Sequence, residues 1–152
     1  MTAVAKVLLL TWEDARVWAA PLRHAVFVQE QGVPEELEWD DQDARSTHAV
    51  VLDAECCLGT GRLLPAGDDG CASIGRMAVR HDRRRQGVGS LLLRVLLTEA
   101  KYLNVHAIVL HAQMSATGFY DRFGFARSGP PFQEAGIAHV EMRLGLKSTL
   151  KA

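Results

Sequence analysis

Long apolar runs, a cysteine framework and an excess of charge of either sign are all missing from this chain of 152 residues. The first apolar run, KVLLLTW, is far shorter than the ~20 residues of a membrane-spanning helix, and too brief for the apolar part of a secretion signal. These absences exclude a membrane anchor and a secreted protein. We therefore expect a cytoplasmic protein with no membrane partner.

Cysteine is scarce, and the positions of the cysteines do not suit a disulfide or a zinc site. The three cysteines are Cys56, Cys57 and Cys71, an odd number in which two are adjacent. This spacing suits neither a disulfide framework nor the C-x-x-C pair of a zinc site. We expect free thiols and no metal. A cysteine-based redox or acyl-carrier protein is a weaker alternative, because no basic residue or histidine near Cys56 and Cys57 in the sequence would lower a thiol pKa.

The charges nearly balance, with 17 lysines and arginines against 18 acidic residues. This balance excludes a general attraction to nucleic acid, so any basic function has to be local. About half of the residues are hydrophobic, which is enough for one globular domain and leaves no length for a second. We predict a single domain over residues 1–147 and a frayed tail over residues 148–152.

Hydrophobic periodicity predicts the order strand, helix, three strands, helix, strand, helix and then one or two strands. The clearest helix runs from Gly87 to Tyr102, with one apolar face formed by Val88, Leu92, Val95 and Leu96. Ser115 is the expected N-cap of the last helix, and Gly124 is placed to end it.

The stretch DRRRQGVGSLLL joins three arginines to two glycines at the start of the long helix. It lacks the lysine and the serine or threonine of a P-loop. However, Gly87 and Gly89 let an anion approach the backbone, and the helix start offers unpaired N–H groups. The residues alone leave two alternatives open, a solvated basic loop and a phosphate cradle. A nucleic-acid patch is the weaker reading, since the rest of the chain is not basic.

The spacing Arg84-x-x-Gly87-x-Gly89 between a strand and a helix resembles the acetyl-CoA signature of the GCN5-related N-acetyltransferase (GNAT) superfamily. The later segment FYDRFGF and the order of elements resemble the same family. FVQEQGVPEELEWDDQDARSTHAV, LHAQ and FQEAGIAHVEM are similar to its ElaA-like branch.

The resemblance implies an α/β (α+β) fold in which helices flank a central mixed, mostly antiparallel sheet. It implies transfer of the acetyl group of acetyl-CoA directly to a primary amine of a small molecule, and it makes a homodimer through sheet edges an expectation. It also implies that the cofactor is held by backbone groups of one strand, by the glycine loop and by one polar side chain. These residues are, in that order, Met77, Ala78 and Val79; Arg84, Arg85, Gln86, Gly87, Val88, Gly89 and Ser90; and Gln113.

By the same resemblance, Tyr120 is the general acid that protonates the leaving thiolate. A simple alkylamine is protonated at neutral pH and has to lose a proton before attack, so a base is needed. It is left open among Glu30, Glu38, His48, Glu134 and His139, acting directly or through water, with Glu134 and His139 named as the catalytic candidates. The residues expected to approach the substrate are Glu30, Glu38 and His48. A core role for Tyr120, and structural roles for His48, His139 and Glu134, remain the alternatives.

An acidic run between residues 35 and 43 either attracts a cationic amine or is a solvated face, and Trp39 within it is expected to pack. The competing function is a non-catalytic acyl-CoA-binding regulatory module of the same fold. Tyr120 favours the enzyme, because binding alone needs no proton donor.

Overall fold

A computed structural model describes residues 5–146, and its centre is one eight-stranded sheet in the order β1-β2-β3-β4-β5-β8-β6, with β7 paired to β8. The β4–β5 pair is parallel and every other pair is antiparallel. The strands are β1 Lys6–Leu10, β2 Thr47–Asp53, β3 Cys56–Leu64, β4 Cys71–Val79, β5 Ala107–Gln113, β6 Ala126–Arg127, β7 Phe132–Glu134 and β8 Ile137–Gly145.

Four α-helices accompany the sheet: α1 Trp12–Arg23, α2 Glu35–Glu38, α3 Val88–Tyr102 and α4 Thr117–Asp121. The predicted fold class is confirmed. The predicted tail, residues 148–152, lies outside the described residues. Within residues 5–146 no helix is long and apolar enough to cross a membrane.

Two local predictions are wrong. Ser115 does not cap α4, because it lies in a 3₁₀ turn and the helix begins two residues later, after Ala116, without a side-chain cap. Val95 is only half-buried, since the face of α3 that contacts the sheet continues through Leu93, Leu97 and Ala100 instead. Gly124 does end its helical segment, with a φ of +95° that favours glycine.

The sheet is covered on both faces, and β2 shows how. Alternate side chains of a strand point to opposite faces. Val50 and Leu52 therefore pack with Ala15 and Ala19 of α1, whereas Ala49 and Val51 join the main core under α3. Leu92, Leu93 and Leu96 of α3 are completely buried there.

α1 does not end at Pro21 but continues into a π-helical segment, His24–Glu30. π-Helical turns are rare and often occur at functional sites. This segment brings Gln31 and Val33 to the middle of the sheet, where β4 and β5 separate.

The separation of β4 from β5 creates the cleft of the molecule. The two strands pair only at Cys71–Ala107, Ala72–Ile108 and Ser73–Val109, and they diverge beyond that point. β4 is also irregular against β3, with a register shift near Gly61 and a left-handed backbone at Arg76, φ +49°. A bulge of this kind bends a strand and re-aims its side chains. The edge of β4 that faces β5 therefore has no strand partner beyond Ser73 in the described sheet.

Candidate active site

A cavity of about 650 Å³ fills the split between β4 and β5. One wall is the irregular part of β4, and the other is formed by β5, α4 and the β7–β8 hairpin. The segment between α1 and β2 covers one end. The polar and ionisable side chains that line it are Gln31, Glu38, Arg62, Ser73, Arg76, His111, Gln113, Tyr120, Glu134 and His139.

Glu134 lies between two histidines in this cavity. Its Oε1 is 3.0 Å from Nδ1 of His111, and its Oε2 is 3.7 Å from Nε2 of His139. The tight turn of the β7–β8 hairpin positions the carboxylate, since Ala135 and Gly136 both have positive φ, as a two-residue hairpin turn of this hand requires. Phe132 stacks on His139, with ring centroids 6.0 Å apart. The structure therefore brings together two of the predicted base candidates, Glu134 and His139.

The protonation of His139 follows from its second contact. Its Nδ1 is 2.7 Å from the carbonyl oxygen of Ile137, and a carbonyl only accepts hydrogen bonds, so the proton lies on Nδ1. In its neutral form the ring presents an Nε2 lone pair beside a carboxylate oxygen of Glu134. Two acceptors at this distance are suited to a donor between them, such as an ammonium group or water.

Tyr120 reaches the same cavity from α4. Its side chain is 9% exposed and packs against Phe119 and Phe125, with ring centroids 5.1 Å and 5.8 Å away. Burial raises the pKa of Tyr120 to about 12. No group of residues 5–146 forms a hydrogen bond with its hydroxyl. The residue is thus both a core aromatic and a protonated donor on the cavity wall.

The loop before α3 has the geometry of an anion cradle. Gly87 precedes the helix with a φ of +86°, and no side chain caps the first turn. A Cβ at Gly87 would meet no atom within 4 Å, so the loop is open on this side. The first N–H groups of α3 are therefore without side-chain partners, as an anion site at a helix start requires.

Arg84 and Glu30, predicted on different sides of the site, pair with each other. Two guanidinium nitrogens of Arg84 donate to the two carboxylate oxygens of Glu30 at 2.6 Å and 2.8 Å, and its Nε donates to the carbonyl of Val79 at 3.1 Å. The hydrogen bond from Arg84 lowers the pKa of Glu30. Neither side chain lines the cavity. The pair instead ties the π-helical segment to the loop that precedes α3.

His48 and Glu38 are placed differently from their predicted substrate roles. His48 is 1% exposed, donates from Nε2 to the carbonyl of Asp43 at 2.9 Å and does not line the cavity. Desolvation by burial lowers its pKa, so the ring is neutral and structural. Glu38 does line the cavity, but its carboxylate is buried and accepts a hydrogen bond from Arg23.

Part of the acidic run is internal. Arg23 is 1% exposed and donates to both Glu38 and Asp43, while Arg62 donates to Asp43 and, with two nitrogens, to Asp40. Glu35, Glu36, Asp40 and Asp41 are its exposed residues. Trp39 packs near Arg23, with its ring 6.0 Å from the guanidinium carbon, although 45% of the residue stays exposed. The run is therefore a solvated face in part, but Glu38 and Asp43 belong to a buried ion-pair network that neither sequence alternative predicted.

The sequence reasoning missed His111 and Arg76. His111 lies in LHAQ, which was singled out only as a resemblance, and it became a candidate once β5 was placed beside the β7–β8 hairpin. Arg76 lies inside an ordinary strand pattern, so only the bulge in β4 reveals that its side chain lines the cavity.

The cysteines take no part in this site. Cys56 and Cys57 begin β3, and burial raises the pKa of Cys57 to about 11, which disfavours a thiolate. None of the three lines the cavity. Among the described residues, no group of three or more His, Cys, Asp and Glu side chains could hold a metal ion.

Comparisons with known proteins agree with this architecture. The sequence profile of the acetyltransferase (GNAT) domain family matches residues 12–146. The chain is 36% identical over 122 residues to the uncharacterized N-acetyltransferase YjcF of Bacillus subtilis (strain 168), which covers 80% of this chain and 86% of that protein. It is 32% identical over 124 residues to the protein ElaA of Escherichia coli (strain K12), with 80% and 81% covered.

Two crystal structures extend the similarity to three dimensions. That of Escherichia coli ElaA has a TM-score of 0.82 and 26% identity over 92% of this chain and 99% of the other. That of an acyl-CoA N-acyltransferase from Pseudomonas aeruginosa has a TM-score of 0.82 and 29% identity, with the same coverage of 92% and 99%.

Proposed function

The chain belongs to the GNAT acetyltransferase family, with a relative in ElaA, and on that premise we propose that it transfers the acetyl group of acetyl-CoA directly to a primary amine of a small molecule. One observation carries the proposal. A pair of proton acceptors, Glu134 and His139, and a protonated donor, Tyr120, line a single cavity where β4 and β5 separate. A site that only binds an acyl-CoA needs neither.

The residues present fit acetyl-CoA, which when bound supplies the acetyl group as a thioester. The unpaired edge of β4 at Met77, Ala78 and Val79 offers backbone groups to the pantetheine arm and an N–H to the carbonyl oxygen. Gln113 ends β5 on the facing side, where it donates to Gln31 at 3.0 Å. Donors aimed at a developing oxyanion each contribute about 3–4 kcal/mol in enzymes.

The loop that precedes α3 holds the diphosphate in this proposal. Its backbone N–H groups supply most of the contacts, because the Arg84 side chain is occupied by Glu30. The side chains of Arg85 and Gln86 are exposed and lie free for the outer phosphate oxygens. The remaining contacts come from the first turn of α3: Val88, Gly89 and Ser90.

The acceptor amine binds as an ammonium ion between Glu134 and His139. Nε2 of His139 takes one proton, and the carboxylate beside it stabilises the resulting imidazolium. The neutral nitrogen then forms a bond to the thioester carbon, and the carbon–sulfur bond breaks as the nitrogen loses its second proton to Glu134 or to water. The Tyr120 hydroxyl donates its hydrogen bond or proton to the departing sulfur.

The test is a panel of small amines assayed by release of free thiol from acetyl-CoA, with acetylated products identified by mass spectrometry. Acetylation of at least one amine at rates above the hydrolysis of acetyl-CoA supports the proposal. Binding of acetyl-CoA with no amine acetylated would instead support the regulatory binding module.

Replacing Tyr120 by phenylalanine should lower kcat by about 10- to 100-fold with little change in acetyl-CoA affinity. We expect a smaller loss of kcat than for most general acids. A phenol whose pKa is about 12 holds its proton more tightly than a thiol whose pKa is ~8.5, so proton transfer to the sulfur is unfavourable. Phenylalanine preserves the packing against Phe119 and Phe125, and the hydroxyl has no hydrogen bond to lose among the described residues. Steady-state kinetics and a melting curve check this, and wild-type turnover would remove Tyr120 from the mechanism.

Replacing Gly87 by valine should weaken acetyl-CoA binding about 10-fold or more. A β-branched residue at φ +86° is strained, and its side chain would fill the space that the diphosphate occupies. Calorimetric titration with CoA measures the affinity, and the melting temperature reports the strain separately. A folded variant that binds CoA as tightly as the wild type would contradict the cradle.

A further inference from the structure

Arg76 is a charged cavity residue that the proposed chemistry leaves unused. It lies in the bulge of β4 with φ +49°, a conformation that is strained for a non-glycine residue and persists only where the surroundings enforce it. Residues held in this way are concentrated at functional sites. The side chain lines the cavity and is 27% exposed.

The hydrogen bonds of Arg76 use only one side of its guanidinium group. Nε and Nη2 both donate to the carbonyl of Glu38, at 3.4 Å and 3.0 Å, and Nη2 also donates to the carbonyl of Leu37 at 3.1 Å and to Oδ2 of Asp40 at 3.3 Å. Nη1 forms no hydrogen bond with any group of residues 5–146. Two N–H donors of a cavity-lining cation are therefore available to a ligand.

Arg76 also shares both of its carboxylate partners with other arginines, since it lies 3.8 Å from Oε1 of Glu38 and 3.3 Å from Oδ2 of Asp40. The nearby carboxylates bind other arginines more closely, because Glu38 accepts from Arg23 and Asp40 accepts from Arg62 at 2.7 Å and 2.8 Å. Burial and the neighbouring Arg62 charge lower the pKa of Arg76, the direction expected for a cation short of negative partners. Nε of Arg62, which lines the same cavity, is buried and has no partner among the described residues.

The opposite wall of the cavity, at the β7–β8 hairpin, carries hydrogen-bond acceptors. Glu134 and His139 present acceptors there, whereas Arg76 presents donors on the β4 side. A molecule that spans the cavity thus meets a site for an ammonium ion at one end and a site for an oxyanion at the other.

We propose that the acceptor is a zwitterion, a primary amine that also carries a carboxylate or a similar oxyanion, and that Arg76 binds this anionic group. This proposal rests on the proposed acetyltransferase function. The planar guanidinium suits a carboxylate, which can accept from both hydrogens of Nη1 or from Nη1 and a second donor.

The test compares ω-amino acids of increasing length, β-alanine, γ-aminobutyrate and ε-aminocaproate, with alkylamines of the same lengths. An aminoalkyl phosphonate of each length distinguishes a carboxylate site from a phosphate site. We expect wild-type kcat/KM to favour one of the charged series over the alkylamines. Arg76→Gln should reduce this preference about 10- to 100-fold, the value of a hydrogen bond to a charged group. Arg76→Lys should retain part of it.

Arg16→Gln is the matched control, because it removes the same charge from the exposed face of α1, away from the cavity. It should leave the preference unchanged. A wild-type preference of about one, or a preference that survives in Arg76→Gln, would overturn the proposal. If Arg76→Gln does not fold, Arg76→Lys and the wild-type preference decide.

A calorimetric arm separates this proposal from the acetyltransferase proposal. The same compounds are titrated into the protein saturated with CoA. If no amine is acetylated, the proposed function fails, while tighter binding of the charged series that weakens in Arg76→Gln still supports the anion site. Equal binding of the charged compounds and the alkylamines overturns it.

Discussion

Replacing His139 by glutamine should lower kcat by about 100- to 10,000-fold, the contribution of a general base. Nε2 of His139 is the lone pair that faces the cavity, since its Nδ1 donates to the Ile137 carbonyl. A glutamine can still fill the space, but it offers no basic nitrogen. Single-turnover measurement of product formation, with acetyl-CoA bound in advance, isolates the chemical step.

Glu134→Gln tests the partner of His139. It should reduce kcat by a similar factor, and the double variant should be scarcely worse than either single one, because two groups that act as a unit are strongly non-additive. The control is His111→Phe, which keeps a ring but removes the hydrogen-bond donor to Glu134, and it should have a smaller effect. If the kcat of His139→Gln stays within about threefold of the wild type, His139 is not the base, and the kcat of Glu134→Gln then decides between Glu134 and water.

Replacing Arg23 by methionine should lower the free energy of unfolding by about 3–5 kcal/mol. The change leaves Glu38 and Asp43, each 3% exposed, without the guanidinium that accounts for most of their hydrogen bonds. Uncompensated buried charge is among the most costly defects in a protein. For a domain of this size the expected fall in melting temperature is roughly 10 °C.

Arg45→Met provides the comparison, because Arg45 is exposed and donates only to the side chain of Gln42. It should change stability by about 0.5 kcal/mol or less. Chemical denaturation of both variants measures the difference. A loss below about 1 kcal/mol for Arg23→Met would show that water reaches the two carboxylates and that the network does not hold the segment around α2.

The structure confirms most of the predicted order of strands and helices, which followed from local patterns, but it adds the short helix α2 and ends in three strands instead of one or two. Alternating apolar residues predict strands because the pleat has a period of two, and the spacing of Val88, Leu92 and Leu96 predicts a helix because its period is 3.6. The boundary of α4 failed for a local reason as well. Serine is a favoured N-cap residue, but the chain forms a 3₁₀ turn immediately before α4. Ser115 lies within that turn and not at the start of the helix.

The candidate site was only partly predictable. Tyr120, Glu134 and His139 were candidates through resemblance, whereas their meeting in one cavity depends on β8 pairing with β5 and β7 pairing with β8. The acidic run between residues 35 and 43 is an example of burial that the sequence did not predict. Its composition is that of a solvated segment, yet Glu38 and Asp43 are buried because Arg23 and Arg62 lie opposite them in the fold.

By itself, the sequence determined most of the succession of elements, the pair of glycines at the start of α3 and the family resemblance, all of which depend on residues near one another in the chain. Only the tertiary structure decided which charged side chains have an ion-pair partner of their own and which share one. Glu30 neutralises Arg84 across 54 positions of sequence, while Arg76 finds its nearest carboxylates already bound to other arginines. Electrostatic compensation depends on distance in space, and a local pattern contains no information about it.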